Sequence, residues 1–405
     1  MKPIHPLLTT VLCLTAVATA CAAQSDADLV VSSDAELGAM AARLLPDLAE
    51  RSGMELREPV RLEERSREEL ARYLRAKLDE DLPEDEARAR AEAYALLGLV
   101  EPGLDLRGLL LELYGEQVAG FYEPDSTALY VLDDQPEAGL EALLVHELVH
   151  AVQDQSTDLQ ALTDPNAGND RSTAAMAVIE GHATLVMFEH LTEQMTGAPV
   201  DLGSIPDFAG QVGPVLASMT AQFPALAGAP RVVRESLIFP YVDGAGFVQR
   251  LWAGGNGRPD PFGDGFPLST EQVLSPGAAA PLPLSFELTG ARTRLEDTLG
   301  ALELRILVED VLGWTPEAAD ELVRGWDGDR WVLVEKEGGA AALSYATVWE
   351  SERARSRFVD AVRAAPSGFG GPVEVEAFDV GGRAGALLRI GGADYRVTTR
   401  VAPGP

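Results

Sequence analysis

Two histidines four residues apart stand in an apolar stretch that reads VHELVHAV over residues 145–152. The apolar pattern predicts a helix from about Leu140 to Gln153. Positions i and i+4 of an α-helix lie on one face, so the imidazoles of His146 and His150 converge on one point. The spacing therefore predicts a helix that binds a metal ion.

Chance is a weak explanation for this HExxH motif. The chain has only five His among 405 residues, and a random match is expected in well under about 1% of such chains. The competing interpretation is a buried helix whose histidines bond their neighbours. Two His and a Glu are costly to bury in an apolar helix without a partner such as a metal. Imidazole and carboxylate ligands suit Zn²⁺, so we expect one zinc ion per chain.

Glu147 follows the first histidine and is the predicted catalytic residue. Its carboxylate can reach a water on the metal and accept a proton from it as general base. A catalytic zinc site also needs a third protein ligand and one position for water.

Glu180 is the predicted third ligand. It lies 180 − 150 = 30 residues after His150, on an apolar helix predicted over about Ser172 to Glu193. Gly181 beside it would let a neighbouring helix approach closely, which suits an antiparallel pair with the motif helix. Two alternatives stay open: Glu180 paired with an arginine or exposed at a groove, and His182 as the third ligand, although His182 points to another face of the helix.

The first 25 residues have the pattern of an export signal: Lys2, an apolar run from Leu7 to Val17, then small residues. Ala18-Thr19-Ala20 fits a cleavage site, and small residues before Cys21 resemble a lipobox with Ala18 in the usual place of Leu. We favour lipidation of Cys21, because the other cysteine, Cys13, lies within the signal and Cys21 would otherwise be an unpaired thiol. The prediction is an exported protein, either secreted or attached to the cell envelope through Cys21.

The charge of the chain limits its partners. A formal net charge of −32 and a pI near 4.4 repel phosphate backbones and anionic lipid headgroups, so we expect no nucleic-acid partner. No apolar stretch after the signal reaches the roughly 18–20 residues that span a bilayer. Peptide or protein is the expected partner class, and the oligomeric state stays open.

The chain divides into five predicted segments: a signal over 1–25, a helical segment over 26–103, a catalytic domain over 104–253, a Pro/Gly-rich connection over 254–283 and an α+β module over 284–405. Strands at residues 118–122 and 128–132 form a predicted β-hairpin ahead of the motif helix. A capping box at Ser66 and Glu69 begins a helix, and Asn169 or Asp170 would cap the helix that carries Glu180.

The C-terminal module is predicted to mix helices and strands. Helices are expected at 295–312, 316–323 and 350–364, and strands at 330–335, 341–347 and near Val373, Leu387 and Tyr395. Gly391-Gly392 is the predicted hairpin turn. We interpret Trp326, Asp327, Asp329 and Trp331 as structural.

The HELVH run followed by Glu180-Gly181 resembles the gluzincin group of zinc metallopeptidases, relatives of thermolysin in their core. The resemblance implies that a Glu from a second helix completes the metal site and that the hairpin supplies an edge strand for peptide binding. Over about Ala35 to Asp360, the chain also resembles a family of bacterial secreted metallopeptidases. The stretches that carry this second resemblance are Glu116–Pro124, Phe239–Tyr241 with Gly244, and Pro267–Leu274. Ser275-Pro276 departs from the His-Pro expected there, which removes support for a role of that position.

Supporting residues can also be predicted. Asp154, at i+4 from His150, is a candidate to orient that imidazole. Tyr241 and His182 are candidate donors to the oxyanion that forms during peptide hydrolysis.

Together these features predict an α+β protein: a mainly helical zincin-like metallopeptidase domain with a small edge sheet, plus an α+β C-terminal module. The predicted function is peptide-bond hydrolysis with zinc held by His146, His150 and Glu180 and with Glu147 as general base. The alternative is an envelope lipoprotein that binds zinc for structure or partner binding and hydrolyses nothing.

Overall fold

A computed structural model describes residues 29–164, 167–205, 210, 211, 213, 223–253, 257–392 and 394–402. The predicted export signal, with Cys13 and Cys21, lies outside these residues. In the described part of the chain, no helix is both long and apolar enough to cross a membrane.

The N-terminal half combines helices with a small sheet. Its elements are β1 (Val30–Ser32), α1 (Ala35–Ser52), β2 (Val60–Arg65), α2 (Arg67–Asp81), α3 (Glu84–Leu97), α4 (Leu106–Gln117), β3 (Gly120–Glu123), β4 (Ala128–Leu132), α5 (Leu140–Ser156), α6 (Leu159–Leu162), α7 (Asn169–Thr196), α8 (Pro224–Gly228), α9 (Arg231–Ala253) and α10 (Thr270–Leu274). The predicted capping box is present, since Ser66 and Glu69 bond each other's backbone N–H at the start of α2.

The first sheet places its only antiparallel strand at an edge. Its order is β1-β2-β4-β3, with β1, β2 and β4 parallel and β3 paired to β4 as the predicted hairpin. Helices α1 and α5 pack against the sheet. The free edge of β3 therefore lies beside α5, the helix that carries the HExxH motif.

A close contact between two helices sets the position of α7. A Cβ on Gly244 of α9 would overlap the backbone of Ala177, and one on Gly181 would overlap the backbone of Gly244. Glycine thus permits contact between the two backbones. Gly181 permits the close approach of a neighbouring helix, as predicted, but that helix is α9 and not the motif helix.

The C-terminal half is built on a second sheet. Its elements are β5 (Leu284–Thr289), β6 (Ala291–Asp297), α11 (Gly300–Ile306, followed by a π-helical turn over Leu307–Val311), α12 (Pro316–Val323), β7 (Trp326–Lys336), β8 (Ala341–Trp349), α13 (Glu352–Ala364), β9 (Val373–Val380), β10 (Arg383–Ile390) and β11 (Arg396–Val401). The sheet is antiparallel in the order β6-β7-β8-β10-β9, and β5 pairs with β11. One hydrophobic cluster contains residues from Leu29 to Ile390, so this sheet shares a core with the N-terminal half.

The mixed α+β class is confirmed, and several local predictions need correction. Residues 295–297 end strand β6 and are not helical, because they pair with β7. The hairpin between β9 and β10 turns at Gly381-Gly382, whereas Gly391-Gly392 precedes β11, which joins the other ladder. Gly168 precedes α7 at the N-cap, and neither Asn169 nor Asp170 caps it. Helices α6, α8, α9 and α10 and strands β1, β5 and β6 have no counterpart in the predictions, and α10 lies within the segment predicted as a connection. The segment limits themselves stay predictions.

Buried carboxylates bond within and between the two halves. Glu303 joins the halves, because it accepts hydrogen bonds from Tyr94 (2.8 Å) and Asn169 (3.0 Å) of the N-terminal half. The bond from Asn169 fixes the first turn of α7 against the C-terminal half. Within the N-terminal half, Asp170 accepts from the N–H and the hydroxyl of Thr270. Within the C-terminal half, Asp329 accepts the N–H groups of residues 299 and 300, which confirms the structural role expected for Asp329.

The close contact between α7 and α9 can be tested by adding a methyl group to it. Gly244→Ala should lower the free energy of unfolding by about 1–3 kcal/mol, because the added methyl group meets backbone that cannot rotate away. The matched control is Gly115→Ala in α4, where a Cβ meets nothing within 4 Å and should stabilise by about 0.5–1 kcal/mol. Urea denaturation measures both, and equal stability of the two variants would contradict the described contact.

The buried carboxylates predict a pH dependence of stability. Burial raises the pKa of Glu303 to about 8, against about 4.3 in an unfolded chain. Between these pH values the folded state keeps a proton that the unfolded state releases, so the free energy of unfolding should fall as the pH rises from about 4 to 8. Glu303→Gln should flatten this slope by on the order of 1 kcal/mol per pH unit. Denaturation at pH 5 and pH 8.5 tests this, and parallel slopes for the two proteins would refute it.

Candidate metal centre

The three predicted ligands meet in the structure. His146 and His150 lie one turn apart on α5, and Glu180 lies in the middle of α7. The Oε2 atom of Glu180 is 3.1 Å from Nε2 of His146 and 3.4 Å from Nε2 of His150, and the two nitrogens are 3.2 Å apart. Among the described residues, these three form the one group of His, Cys, Asp or Glu ligand atoms close enough to share an ion.

The spacing of these atoms fits zinc. A tetrahedral zinc ion with bonds of about 2.0–2.1 Å requires donor atoms about 3.3 Å apart. All three observed separations are near that value. Two imidazole nitrogens and a carboxylate oxygen also match the ligand preference of zinc. The residues present therefore fit a zinc ion held by three protein ligands.

Burial and charge make the group attractive to a cation. The side chains of the three ligands are between 9% and 13% exposed. Burial alone raises the pKa of Glu180, but the charge of His150 and the hydrogen bonds of both histidines hold it well below its usual range. Burial lowers the pKa of His150, yet the negative charge of Glu180 raises it to about 9. Glu180 thus acts as the negative centre around which the two imidazoles are arranged.

Glu147 is held by the edge strand. The backbone N–H of Tyr122 in β3 donates a 2.9 Å hydrogen bond to Oε2 of Glu147. The carboxylate is buried, and burial raises its pKa. The bond fixes one oxygen of Glu147, whose carboxylate interacts electrostatically with all three members of the ligand group.

Tyr241 reaches the centre from α9. Its ring stacks on that of His146 with the centroids 6.0 Å apart, and the side chain stays partly exposed. The negative charge of Glu180, followed by burial, raises the pKa of Tyr241 well above its usual value. Tyr241 therefore keeps its proton.

The structure assigns other roles to His182 and Asp154 than the sequence predicts. His182 is fully buried, and its ring nitrogens contact Gln153 (2.9 Å) and the carbonyl of Ser52 (3.2 Å). Burial lowers the pKa of His182 to about 3. It is neither a ligand nor an oxyanion donor. The side chain of Asp154 accepts from the Tyr122 hydroxyl at 2.8 Å, and the Nδ1 atom of His150 instead lies 2.8 Å from Gln153.

Gln153 is the residue that sequence reasoning missed. Its Oε1 atom lies 2.8 Å from Nδ1 of His150, in the position expected of Asp154. The signal in the sequence is a polar residue at i+3 from a predicted ligand, on the same face of the helix. A carboxylate is the commoner partner of a metal-bound imidazole, so residue type alone favours Asp154 over Gln153.

Of the three stretches on which the predicted resemblance to secreted metallopeptidases rests, two lie next to the ligands and one does not. Strand β3 and the part of α9 with Tyr241 and Gly244 border the centre directly. The stretch at 267–274 instead contacts α7 through Thr270 and Asp170, ten residues before Glu180. Ser275 follows the last residue of helix α10 there, as its C-cap.

Comparison with known proteins identifies one segment. A family described as a domain of unknown function, DUF8575, matches residues 288–404. The segment begins in β5, covers less than half of the chain and excludes α5 and α7. No curated protein and no solved structure matches the chain.

Removal of the carboxylate ligand tests the metal centre. Glu180→Gln should weaken zinc binding by more than about 100-fold, beyond the 10- to 100-fold typical of residues that only support a ligand. Glu101→Gln, at an exposed carboxylate, is the control and should bind zinc as the unaltered protein does. Competition titration with a chromogenic chelator measures both, and unchanged affinity of the Glu180 variant would exclude it as a ligand.

Proposed function

We propose that the protein is a zinc-dependent peptidase with a zincin-like catalytic domain. The observation that carries the proposal is the convergence of His146, His150 and Glu180 on one point, with Glu147 fixed beside them. The resemblance of the HELVH run and Glu180 to gluzincins supports the same conclusion. The export pattern of the first 25 residues supports a place outside the cytoplasm, either secreted or attached to the envelope through Cys21.

The number of ligands favours catalysis over a structural site. Structural zinc sites use four protein ligands, whereas catalytic sites use three and leave a position for water. Three residues form the ligand group in the described part of the chain. Zinc held there would supply a Lewis acid that makes a water molecule more acidic and polarises a carbonyl group.

Glu147 is proposed to accept the proton from that water and later deliver it to the leaving amine. Its Oε2 oxygen is occupied by the Tyr122 N–H, which leaves Oε1 for the proton. The Tyr241 hydroxyl is proposed to donate to the oxyanion, because the ring of Tyr241 stacks on that of His146 and the hydroxyl stays protonated.

The edge strand provides a place for an extended peptide. The carbonyl of Ala119 accepts from the N–H of Leu132, so the alternation of an antiparallel pair directs the backbone groups of Tyr122 away from β4. The N–H of Tyr122 is bound to Glu147, and its C=O faces the same free edge. A peptide that adds to β3 would therefore pass beside the general base.

A groove of about 490 Å³ includes Tyr122 of this strand in its lining. Ala151 and Asp154 of α5 and Arg57 and Arg61 also line it. None of the three ligands is among the lining residues, so the groove does not contain the centre. Substrate residues beyond the cleaved bond are proposed to bind there.

The general base gives the decisive test. Glu147→Gln keeps an acceptor for the Tyr122 N–H but cannot take a proton. It should keep the zinc content and lose about 10²- to 10⁴-fold in kcat/KM. A proteome-derived peptide library first identifies a cleaved sequence, and zinc content is measured by atomic emission.

The outcomes separate the two candidate functions. Activity that survives in the Glu147→Gln variant would refute the mechanism. Zinc bound by a protein that cleaves no peptide in the library would favour the non-catalytic zinc-binding lipoprotein. Glu101→Gln again serves as the control and should retain both zinc and activity.

A further inference from the structure

We propose that Gln153 and His182 are positioning residues that fix the tautomer of His150 and hold the two ligand helices in register. The inference rests on the proposed zinc site and concerns residues outside the ligand group. It follows from donor and acceptor assignments along one buried chain: Ser52 carbonyl, His182, Gln153, His150.

The series of hydrogen bonds begins at a backbone carbonyl group. Ser52 is the last residue of α1, and its C=O lies 3.2 Å from Nε2 of His182. A carbonyl can only accept, so Nε2 of His182 carries the hydrogen. A neutral imidazole has one donor and one acceptor nitrogen, and Nδ1 of His182 is therefore an acceptor.

The amide of Gln153 has one possible orientation. Its Nε2 atom lies 3.0 Å from the carbonyl of Ile179 and 2.9 Å from Nδ1 of His182, and both are acceptors. The two hydrogens of the amide nitrogen satisfy these two acceptors. Oε1 then faces Nδ1 of His150 at 2.8 Å, and this nitrogen must donate. In the neutral ring, Nε2 of His150 therefore holds the lone pair that a metal requires.

Gln153 also joins the two ligand helices. Ile179 directly precedes Glu180, so the bond to its carbonyl holds the backbone next to the third ligand. The same side chain thereby sets the ring of His150 on α5 and the position of Glu180 on α7.

The hydrogen bonds of this series are shielded from water. Gln153 and His182 are both 0% exposed. The rings of Trp252 and Phe262 meet the ring of His182 edge-on, with centroids 5.5 and 6.0 Å away. Water cannot take the place of a hydrogen-bond partner that is removed by substitution, so each bond in the series depends on the protein groups themselves.

The test compares two glutamines on the same helix. Gln153→Met keeps much of the volume and removes the amide. It should weaken zinc binding by about 10- to 100-fold. Gln155→Met is the matched control: its side chain bonds the backbone of residues 57 and 58 and does not face the ligands. A purely structural role for Gln153 predicts similar losses of thermal stability and no selective loss of zinc affinity.

His182→Phe provides an independent variant if Gln153→Met does not fold. It should weaken zinc binding relative to the unaltered protein by less than about 10-fold, because Ile179 still orients the amide of Gln153. In the zinc-loaded protein, ¹⁵N-edited NMR should show a slowly exchanging Nδ1–H on His150, and Gln153→Met should abolish that signal.

The outcomes distinguish the inference from the proposed function. An unaltered protein that binds no zinc contradicts the proposed function. An unaltered protein that binds zinc, with equal affinity in the folded Gln153→Met variant or with hydrogen on Nε2 of His150, overturns only the positioning role.

Discussion

The structure depends on one buried negative charge. Glu180 lies on an apolar helix against two imidazoles, and a carboxylate in such a place requires a positive partner. The surrounding architecture serves that requirement. The contact between α7 and α9 at Gly181 and Gly244 sets the depth of Glu180, and α5 brings both histidines to within 3.4 Å of it. A cation at this point would satisfy all three side chains together.

Sequence could predict the parts of this arrangement that depend on local spacing. The i, i+4 histidines, the apolar helix around Glu180 and the hairpin ahead of the motif follow from periodicity and turn residues, and the structure contains each of them. The parts that depend on distant partners could not be predicted. Asp154 and Gln153 lie at i+4 and i+3 from His150, so spacing alone does not choose between them. The contacts of Gln153 with Ile179 and His182 on α7 make that choice. Gly391-Gly392 has suitable turn residues, but strand pairing with β5 places the next strand in another ladder.

The C-terminal half is joined to the N-terminal half by buried hydrogen bonds and a shared hydrophobic core. Glu303 and Asp297 lie in the segment that matches a domain of unknown function, and their bonding partners Tyr94, Asn169 and Arg90 lie outside it. The hydrophobic cluster is continuous across the same limit. Helix α7 begins at these carboxylates and carries Glu180 about 15 Å further along its axis. The matched segment thus forms part of the support for the helix that completes the ligand group.

The bond between Tyr122 and Glu147 has a second effect, on self-association. An exposed edge strand normally presents unpaired donors and acceptors to any other strand, including the same strand of a second molecule. The N–H of Tyr122 is already bound, so at this residue β3 offers an acceptor and no donor. A peptide chain can pair there through its own N–H, whereas two copies of β3 that meet edge to edge cannot exchange reciprocal bonds at Tyr122. The contact that orients a carboxylate thereby also makes the open edge a poor template for aggregation.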